Sequence, residues 1–321
     1  MKKRTKIWLI VAAILSLTGI IMFAITLAAG GWDFSKLNSI KFELNTHYIS
    51  DDFTDISIDT DTADVIVVRS ENDECKVVLH ESAKEKHTVG LEGNTLKISI
   101  RDDRKWYEHI MLFSFGRTKI TVYLPETAYG ALKAKQGTGD IKLPSDLAFS
   151  AIDLWGSTGE VDVRSTVTGE AKIRRSTGDI DIVGIKVGSL NLTTDTGDIE
   201  VSSLVCTDNI SIRVSTGDVE LENVSCNNFT SMGSTGEISL ENATASGTLR
   251  IERSTGDVEF EHSDAASIYI VTDTGDVKGS LKTPKVFFTE TDTGNVKIPH
   301  TTTGGVCDIK TDTGDIRITI K

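Results

Sequence analysis

Ser-Thr-Gly-Asp-Ile-Asp-Ile at residues 176–182 is followed by Asp-Thr-Gly-Asp-Ile-Glu-Val at residues 195–201 and by Ser-Thr-Gly-Asp-Val-Glu-Leu at residues 215–221. The Thr-Gly centre of this motif occurs ten times at a spacing of 19 or 20 residues. Self-similarity with a fixed period of this size is typical of solenoid proteins. The ten turn glycines are Gly139, Gly159, Gly178, Gly197, Gly217, Gly236, Gly256, Gly275, Gly294 and Gly314.

Apolar residues alternate with polar ones on both sides of each glycine. The residue two positions after it is always Ile or Val, as at Val219, and the residue seven positions before it is always apolar, as at Ile210. Apolar residues two apart predict strands with one buried face, whereas a glycine in every repeat argues against a helix. Because one repeat cannot bury its own apolar face, neighbouring repeats should stack in parallel about 4.8 Å apart. The sequence therefore predicts an all-β fold, a single-chain parallel β-solenoid (β-helix) of about ten coils.

The first residues predict a membrane anchor. Residues 7–29 are uncharged and mostly apolar over 23 positions, which is long enough to cross a bilayer. The basic residues Lys2, Lys3, Arg4 and Lys6 precede them and, by the positive-inside rule, place the N-terminus in the cytoplasm. We expect a single-pass protein of the cell membrane with an extracytoplasmic solenoid. The alternative is a cleaved signal peptide, but the apolar stretch is longer than a usual signal core.

The remaining boundaries follow from where the repeat begins. Ile56–Val67 matches the repeat except at the glycine position and is interpreted as a degenerate first coil. Solenoid ends need caps, and the segment around this coil should supply one. Arg101–Phe115 is charged and then apolar, and could bind a partner or pack against the membrane or the solenoid end. The predicted organisation is a cytoplasmic basic flank (1–6), a transmembrane signal anchor (7–29), a linker (30–37), an N-terminal β cap (38–130) and the solenoid (131–321).

The charge of the chain limits the partners it can bind. The part beyond the anchor has 30 basic and 47 acidic residues, a net charge of −17. Such a surface argues against nucleic acid and against direct adhesion to anionic polymers.

The anchor and repeats together resemble a known family. A short basic start, an anchor ending in Gly-Gly-Trp-Asp-Phe (Gly30–Phe34) and serial Asp-Thr-Gly-Asp strands are similar to the bacterial "putative adhesin", β-strand-repeat family of unknown function. That family includes LiaG-like membrane-anchored proteins of Gram-positive envelope-stress operons. The resemblance implies a surface β-solenoid without established catalysis, and it provides no catalytic residues to transfer.

The acidic residue after each glycine has two interpretations. In the first, it belongs to the turn, where glycine supplies a positive φ and Asp and Thr bond local backbone groups. In the second, the stacked carboxylates bind calcium, which accepts several carboxylate oxygens. Turn chemistry is the preferred interpretation. The weak calcium candidates, where a second acidic column adds charge, are Asp273, Asp276, Asp292 and Asp312.

Two cysteines could form a disulfide. Cys206 and Cys226 each lie nine residues after a glycine in adjacent repeats, so they should be rung neighbours within disulfide reach. Two free stacked thiols remain the alternative. No histidine, serine or carboxylate pattern of a known catalytic site occurs, so we expect no enzyme and no cofactor.

Three functions remain open. The leading hypothesis is a non-enzymatic, membrane-anchored extracytoplasmic solenoid with a role in cell-envelope stress response or surface interaction. Its partners would be envelope proteins, peptides or cell-wall components. A surface adhesin is the alternative, and a carbohydrate-active enzyme is the third.

Overall fold

One helix precedes a chain of strands in the computed structural model, which describes residues 3–29, 42–82, 85–102 and 118–321. Helix α1 spans Lys3–Ala29. Within it, Trp8–Ala29 is a stretch of 22 residues with a mean hydropathy of 2.5, long and apolar enough to cross a membrane. The predicted linker at residues 30–37 and most of the predicted loop Arg101–Phe115 lie outside the described residues.

The strands fall into an N-terminal group and a regular array. The first group is β1 (Phe42–Ile49), β2 (Asp55–Thr62), β3 (Asp64–Arg69), β4 (Cys75–Ser82), β5 (Glu85–Glu92), β6 (Thr95–Asp102) and β7 (Lys119–Leu124). The array is β8 (Ala128–Thr138), β9 (Ile141–Leu143), β10 (Ala148–Thr158), β11 (Val161–Val163), β12 (Thr166–Thr177), β13 (Ile180–Val183), β14 (Lys186–Thr196), β15 (Ile199–Cys206), β16 (Asn209–Thr216), β17 (Val219–Cys226), β18 (Asn228–Thr235), β19 (Ile238–Glu241), β20 (Thr244–Thr255), β21 (Val258–Thr274), β22 (Val277–Leu281), β23 (Lys285–Thr293), β24 (Val296–Lys297), β25 (Gly305–Thr313) and β26 (Ile316–Ile320).

Strands before and after each turn form two opposed parallel sheets. In the pre-turn sheet, strands that end at the threonine before a glycine pair in register, so Thr196 lies opposite Thr216 and Thr216 opposite Thr235. In the post-turn sheet, Ile199 lies opposite Val219 in the same way. β21 is continuous because it leaves the post-turn sheet, bends at a corner and enters the pre-turn sheet. The predicted all-β parallel solenoid, with one apolar helix before it, is confirmed.

The order of coils in space differs from their order in the chain at the C-terminal end. β25 pairs with β21 on one side and with β23 on the other, and β26 lies likewise between β22 and β24. The last coil of the chain is therefore inserted between the Gly275 and Gly294 coils, and the Gly294 coil ends the stack. Sequential stacking of all ten coils, which the repeat predicts, is wrong at this point.

A similar exchange occurs at the N-terminal end. β2 lies between β6 and β8, and β3 between β7 and β9. The degenerate first coil, β2 and β3, is thus the second parallel level, and β6 and β7 form the first. Beyond them the pairing becomes antiparallel, with β5 on β6, β4 on β7 and β1 on β4.

One continuous apolar core fills the space between the sheets. It runs from Ile56 in the N-terminal part to Ile318 in the last coil. Nine of the ten Ile and Val residues two positions after a glycine are buried, but Val296 is 44% exposed. The prediction that all ten are buried is wrong for Val296, because its coil ends the stack and has a neighbour on one side only.

Candidate functional site

The turn glycines form a tightly packed column along one edge of the solenoid. Their φ angles lie between +126° and +158°, which L side chains rarely adopt. Consecutive coils also approach closely, since a Cβ added at Gly217 would lie 2.1 Å from the carbonyl oxygen of Gly197. Nine of the ten glycines, all but Gly294 at the end of the stack, donate their N–H to the threonine carbonyl of the neighbouring coil, as Gly217 does to Thr235 at 3.0 Å. Both conformation and space therefore require glycine here.

The acidic residues of the turn bond one coil to the next. In each bond the backbone N–H at the acidic position donates to Oδ1 of the equivalent residue in a neighbouring coil, so the carboxylate serves the adjacent turn rather than its own. Every acceptor in these bonds is an aspartate. The donor and acceptor pairs, 2.7–3.1 Å apart, are Asp140 and Asp64, Glu160 and Asp140, Asp198 and Asp179, Asp218 and Asp198, Glu237 and Asp218, Asp276 and Asp257, Asp315 and Asp276, and Asn295 and Asp315.

These bonds explain the single Asn in the column. Asn295 belongs to the coil that ends the stack, where its N–H donates to Asp315 but no further described coil donates to its side chain. Where the bond exists, it favours the ionised acid. The N–H of Asp315, followed by Lys278, lowers the pKa of Asp276, and the N–H of Asn295 lowers the pKa of Asp315.

A broad acidic face adjoins this column. It consists of outward side chains of the post-turn sheet, and equivalent acids stand on successive rungs, for example Asp181, Glu200 and Glu220. Burial, followed by the neighbouring acids Glu160 and Glu200, raises the pKa of Asp181 to about 6. The members of this acidic face are Asp162, Asp181, Glu200, Glu220, Glu222, Glu241, Glu259 and Glu261.

This face was not identified from the sequence, although a signal for it exists. In the six repeats from Gly159 to Gly256, the outward position three residues after the glycine is acidic five times, and the outward position five residues after it is acidic three times. The acidic columns predicted from the sequence lie instead directly after the glycine and two residues before it.

Two arginines lie inside the solenoid behind the acidic column. Arg175 and Arg253 are each 3% exposed, and burial lowers the pKa of Arg175 to about 10 and that of Arg253 as well. Each occupies the space above a glycine of the preceding coil, since a Cβ on Gly156 or Gly233 would strike its guanidinium. Arg253 donates to Ser231 Oγ at 3.2 Å, while the three nitrogens of Arg175 find no hydrogen-bond partner among the described residues. The negative charge of Asp140 partly offsets the lowering of the Arg175 pKa, and Asp218 does the same for Arg253.

The four calcium candidates do not share one site. Asp273, Asp312 and Asp292 are exposed residues on successive rungs of the pre-turn sheet. Asp276 accepts from the N–H of Asp315 and pairs with Lys278 Nζ at 2.9 Å. Among the described residues, no group of three His, Cys, Asp or Glu side chains is arranged to hold a metal ion. Calcium binding at these four residues stays a prediction.

The two cysteines considered for a disulfide are placed on adjacent rungs. Val205 pairs with Ser225, so Cys206 and Cys226, the next residues on the two strands, are neighbours on adjacent rungs. Both thiols are free in this structure, and that of Cys206 donates to the carbonyl of Gly188 at 3.3 Å. Burial raises the pKa of Cys226 to about 12. A thiol with this pKa is a poor nucleophile at neutral pH.

The fold and its turn column define a class: all-β parallel solenoids with one Thr-Gly-Asp turn per coil and an apolar N-terminal helix. Within that class, the chain belongs to the Toastrack DUF4097 family, whose sequence profile matches residues 53–319. Among curated proteins, none matches the sequence significantly.

Several solved bacterial structures are similar to this chain, one of them with a TM-score above 0.5. A "putative adhesin" from Parabacteroides distasonis ATCC 8503 is 11% identical, with 88% of this chain and 98% of that chain covered and a TM-score of 0.53. A "putative adhesin" from Bacteroides fragilis NCTC 9343 is 15% identical, with 86% and 97% covered and a TM-score of 0.42. A "putative lipid binding protein" from Parabacteroides distasonis is 19% identical, with 86% and 97% covered and a TM-score of 0.48. At these identities the likeness concerns the fold alone.

Proposed function

We propose that this protein is a non-enzymatic, membrane-anchored interaction module of the cell envelope. The helix α1 holds the solenoid at the outer face of the cell membrane, and the acidic face binds a cationic partner there. The module acts in the response to envelope stress or in another interaction at the cell surface. A rigid stack of carboxylates on a chain that begins with an apolar helix is the observation that carries this proposal.

The acidic face is suited to binding because its carboxylates are fixed in place. The post-turn strands that carry it are held in register from β11 to β21 by parallel pairing. Equivalent acids stand on rungs about 4.8 Å apart. Bringing like charges this close is unfavourable, and a cationic partner would relieve that repulsion. Association of such a partner should be fast and should weaken with added salt.

The cellular test uses a deletion strain complemented with full-length variants. In the test variant, Asp181→Asn, Glu200→Gln, Glu220→Gln and Glu222→Gln neutralise the acidic face. The matched control neutralises four exposed acids of the pre-turn sheet instead, through Glu170→Gln, Asp195→Asn, Asp273→Asn and Asp312→Asn. We expect the wild type and the control to restore survival under envelope-damaging treatment, and the face variant to fail at equal membrane abundance. Equal rescue by both variants would contradict the proposal.

Membrane topology is tested on intact cells. Externally added protease should cleave the solenoid while a cytoplasmic marker stays intact, and the chain should stay with the membrane fraction after a high-salt wash. A soluble mature chain beginning near residue 30 would indicate cleavage of the apolar segment instead.

The adhesin alternative is distinguished by the phenotype of the deletion. Loss of attachment to surfaces or to other cells, with unchanged survival under envelope damage, would favour an adhesin. The family resemblance and the neighbours described as adhesins keep this alternative open.

A further inference from the structure

The C-terminal tip of the solenoid carries an unused strand edge. Strand β23 pairs with β25, and β24 with β26, and neither has a second partner among the described strands. Unpaired edges are sites for strand addition, which proteins usually restrict with proline, charge or short length. β24 has such protection, because it is two residues long and Pro299 follows soon after. β23 is nine residues long and contains no proline.

The composition of β23 is divided along its length. Its first half contains Val286, Phe287 and Phe288, and its second half contains Glu290 and Asp292. Phe288 points outward and is 56% exposed, while Phe287 packs against the end of the apolar core and is half-buried. One edge strand therefore offers an apolar segment and an acidic segment side by side.

We propose that two copies of this chain pair tip to tip through antiparallel β23 strands, with the two-fold axis at Phe287. In this register Phe287 faces its own equivalent, and Val286 of each copy lies opposite Phe288 of the other. The acidic segments extend to opposite ends of the pair, which keeps Glu290 and Asp292 of the two copies apart. Registers centred closer to the turn would place these acids opposite one another, which is unfavourable.

The symmetry of this arrangement closes it at two copies. An antiparallel pair of identical edges is isologous, so both β23 edges are used and no further copy can add through β23. The anchor joins the chain through residues 30–41 to β1, at the other end of the stack. The two β1 strands, to which the anchors connect, therefore lie at opposite ends of the dimer. The buried area is that of one strand pair and a few apolar side chains, which fits a weak, reversible association.

This surface is separate from the acidic face. The proposed function concerns the post-turn sheet at the centre of the stack, whereas the tip pairing concerns the edge of β23. Loss of either one leaves the other intact, so the two proposals succeed or fail independently.

The first experiment measures association of the full-length chain with one copy in each lipid nanodisc, so that the anchors cannot associate. Sedimentation velocity over a concentration series should show paired discs. Phe288→Lys should weaken pairing at least tenfold, because it places charges within the apolar segment. The matched control is Val271→Lys, at an outward position 40% exposed on β21, a strand paired on both sides. Single discs at every concentration, or equal effects of the two substitutions, would overturn the proposal.

The second experiment tests the register by oxidative cross-linking. Directly opposed residues of antiparallel strands lie within disulfide reach. Discs carrying Val286→Cys mixed with discs carrying Phe288→Cys should give a disulfide-linked dimer. Either variant on its own should give less of this dimer. Phe288→Cys mixed with Tyr269→Cys is the matched control, because both positions lie six residues before a turn glycine. Wild type sets the background from native thiols, and a mixture no better than this control would refute the register.

Discussion

Replacing Gly217 by alanine tests whether the turn column depends on glycine for both conformation and space. The φ of Gly217 is +142°, a region in which a non-glycine residue costs about 1–3 kcal/mol. The new Cβ would also lie 2.1 Å from the carbonyl oxygen of Gly197, so the two turns must separate. Separation weakens the backbone bonds from the N–H of Gly197 to Thr216 and from the N–H of Ile199 to Asp218, both 3.0 Å long, at about 1 kcal/mol each. We expect a total loss of ~3–5 kcal/mol in the free energy of unfolding.

Two matched glycines separate these contributions. Gly184 has a φ of +68° but no heavy atom within 4 Å of an added Cβ, so Gly184→Ala should cost only the backbone strain of about 1–2 kcal/mol. Gly90 has neither a positive φ in the strained range nor a close neighbour, and Gly90→Ala should be neutral or stabilising by up to about 1 kcal/mol. Urea unfolding of the full-length chain in detergent, followed by far-ultraviolet circular dichroism, measures all three. If Gly217→Ala costs no more than Gly184→Ala, close packing of the turns is not what requires glycine.

Three further predictions address the core, the carboxylate bonds and pH. Val219→Asp should lower the free energy of unfolding by several kcal/mol, because it buries an unpaired charge. Val296→Asp should lower it little, because Val296 is exposed at the end of the stack. Equal losses of stability in urea unfolding would refute the exchanged order of the last coils. Asp218→Ala should lower the free energy of unfolding by about 1 kcal/mol more than Asp218→Asn. The reason is that only the Asn side chain keeps an acceptor for the N–H of Glu237, which lies 2.7 Å from the Asp218 carboxylate in the wild type. Thermal melts that do not separate the two variants would show that this bond adds nothing. Burial raises the pKa of Asp181 to about 6 in the folded state, so the folded chain binds the proton more tightly and its stability falls as pH rises through that value. Asp181→Asn should therefore raise the melting temperature at pH 7 and have a smaller effect at pH 5. A gain in melting temperature that grows on acidification would contradict this sign.

The architecture was predictable because the same local physics is repeated in every coil. Apolar residues recur at every second position on both sides of each turn, as at Val219 and Leu221. The glycine between the two runs requires a turn, so strand, turn and strand follow without any long-range information. The order of the last coils was not predictable in this way. The Gly275, Gly294 and Gly314 repeats have almost the same turn sequence, and each could in principle pair with any other.

Asn295 shows how a small departure from the repeat carries long-range information. It is the only non-acidic residue directly after a turn glycine, and the structure places it where no described coil needs its side chain as an acceptor. The departure is visible in the sequence, but its meaning depends on knowing that each aspartate serves the adjacent coil. The acidic face was missed for a related reason. It depends on summing the outward positions of many repeats, whereas each repeat alone shows an ordinary solvent-exposed strand.

The exchanged coils at the C-terminal end have a consequence for how the molecule is completed. As the chain is synthesised, each coil up to Gly275 can dock on the preceding one as soon as it is formed. The Gly294 coil has no correct place until the final seventeen residues, Gly305–Lys321, have been made, because β25 and β26 must lie beneath it. A chain cut short within β25 loses two levels of the stack rather than one, since the Gly294 coil then has no underlying strand. The β23 edge can therefore be presented at the tip only by a chain that contains both β25 and β26.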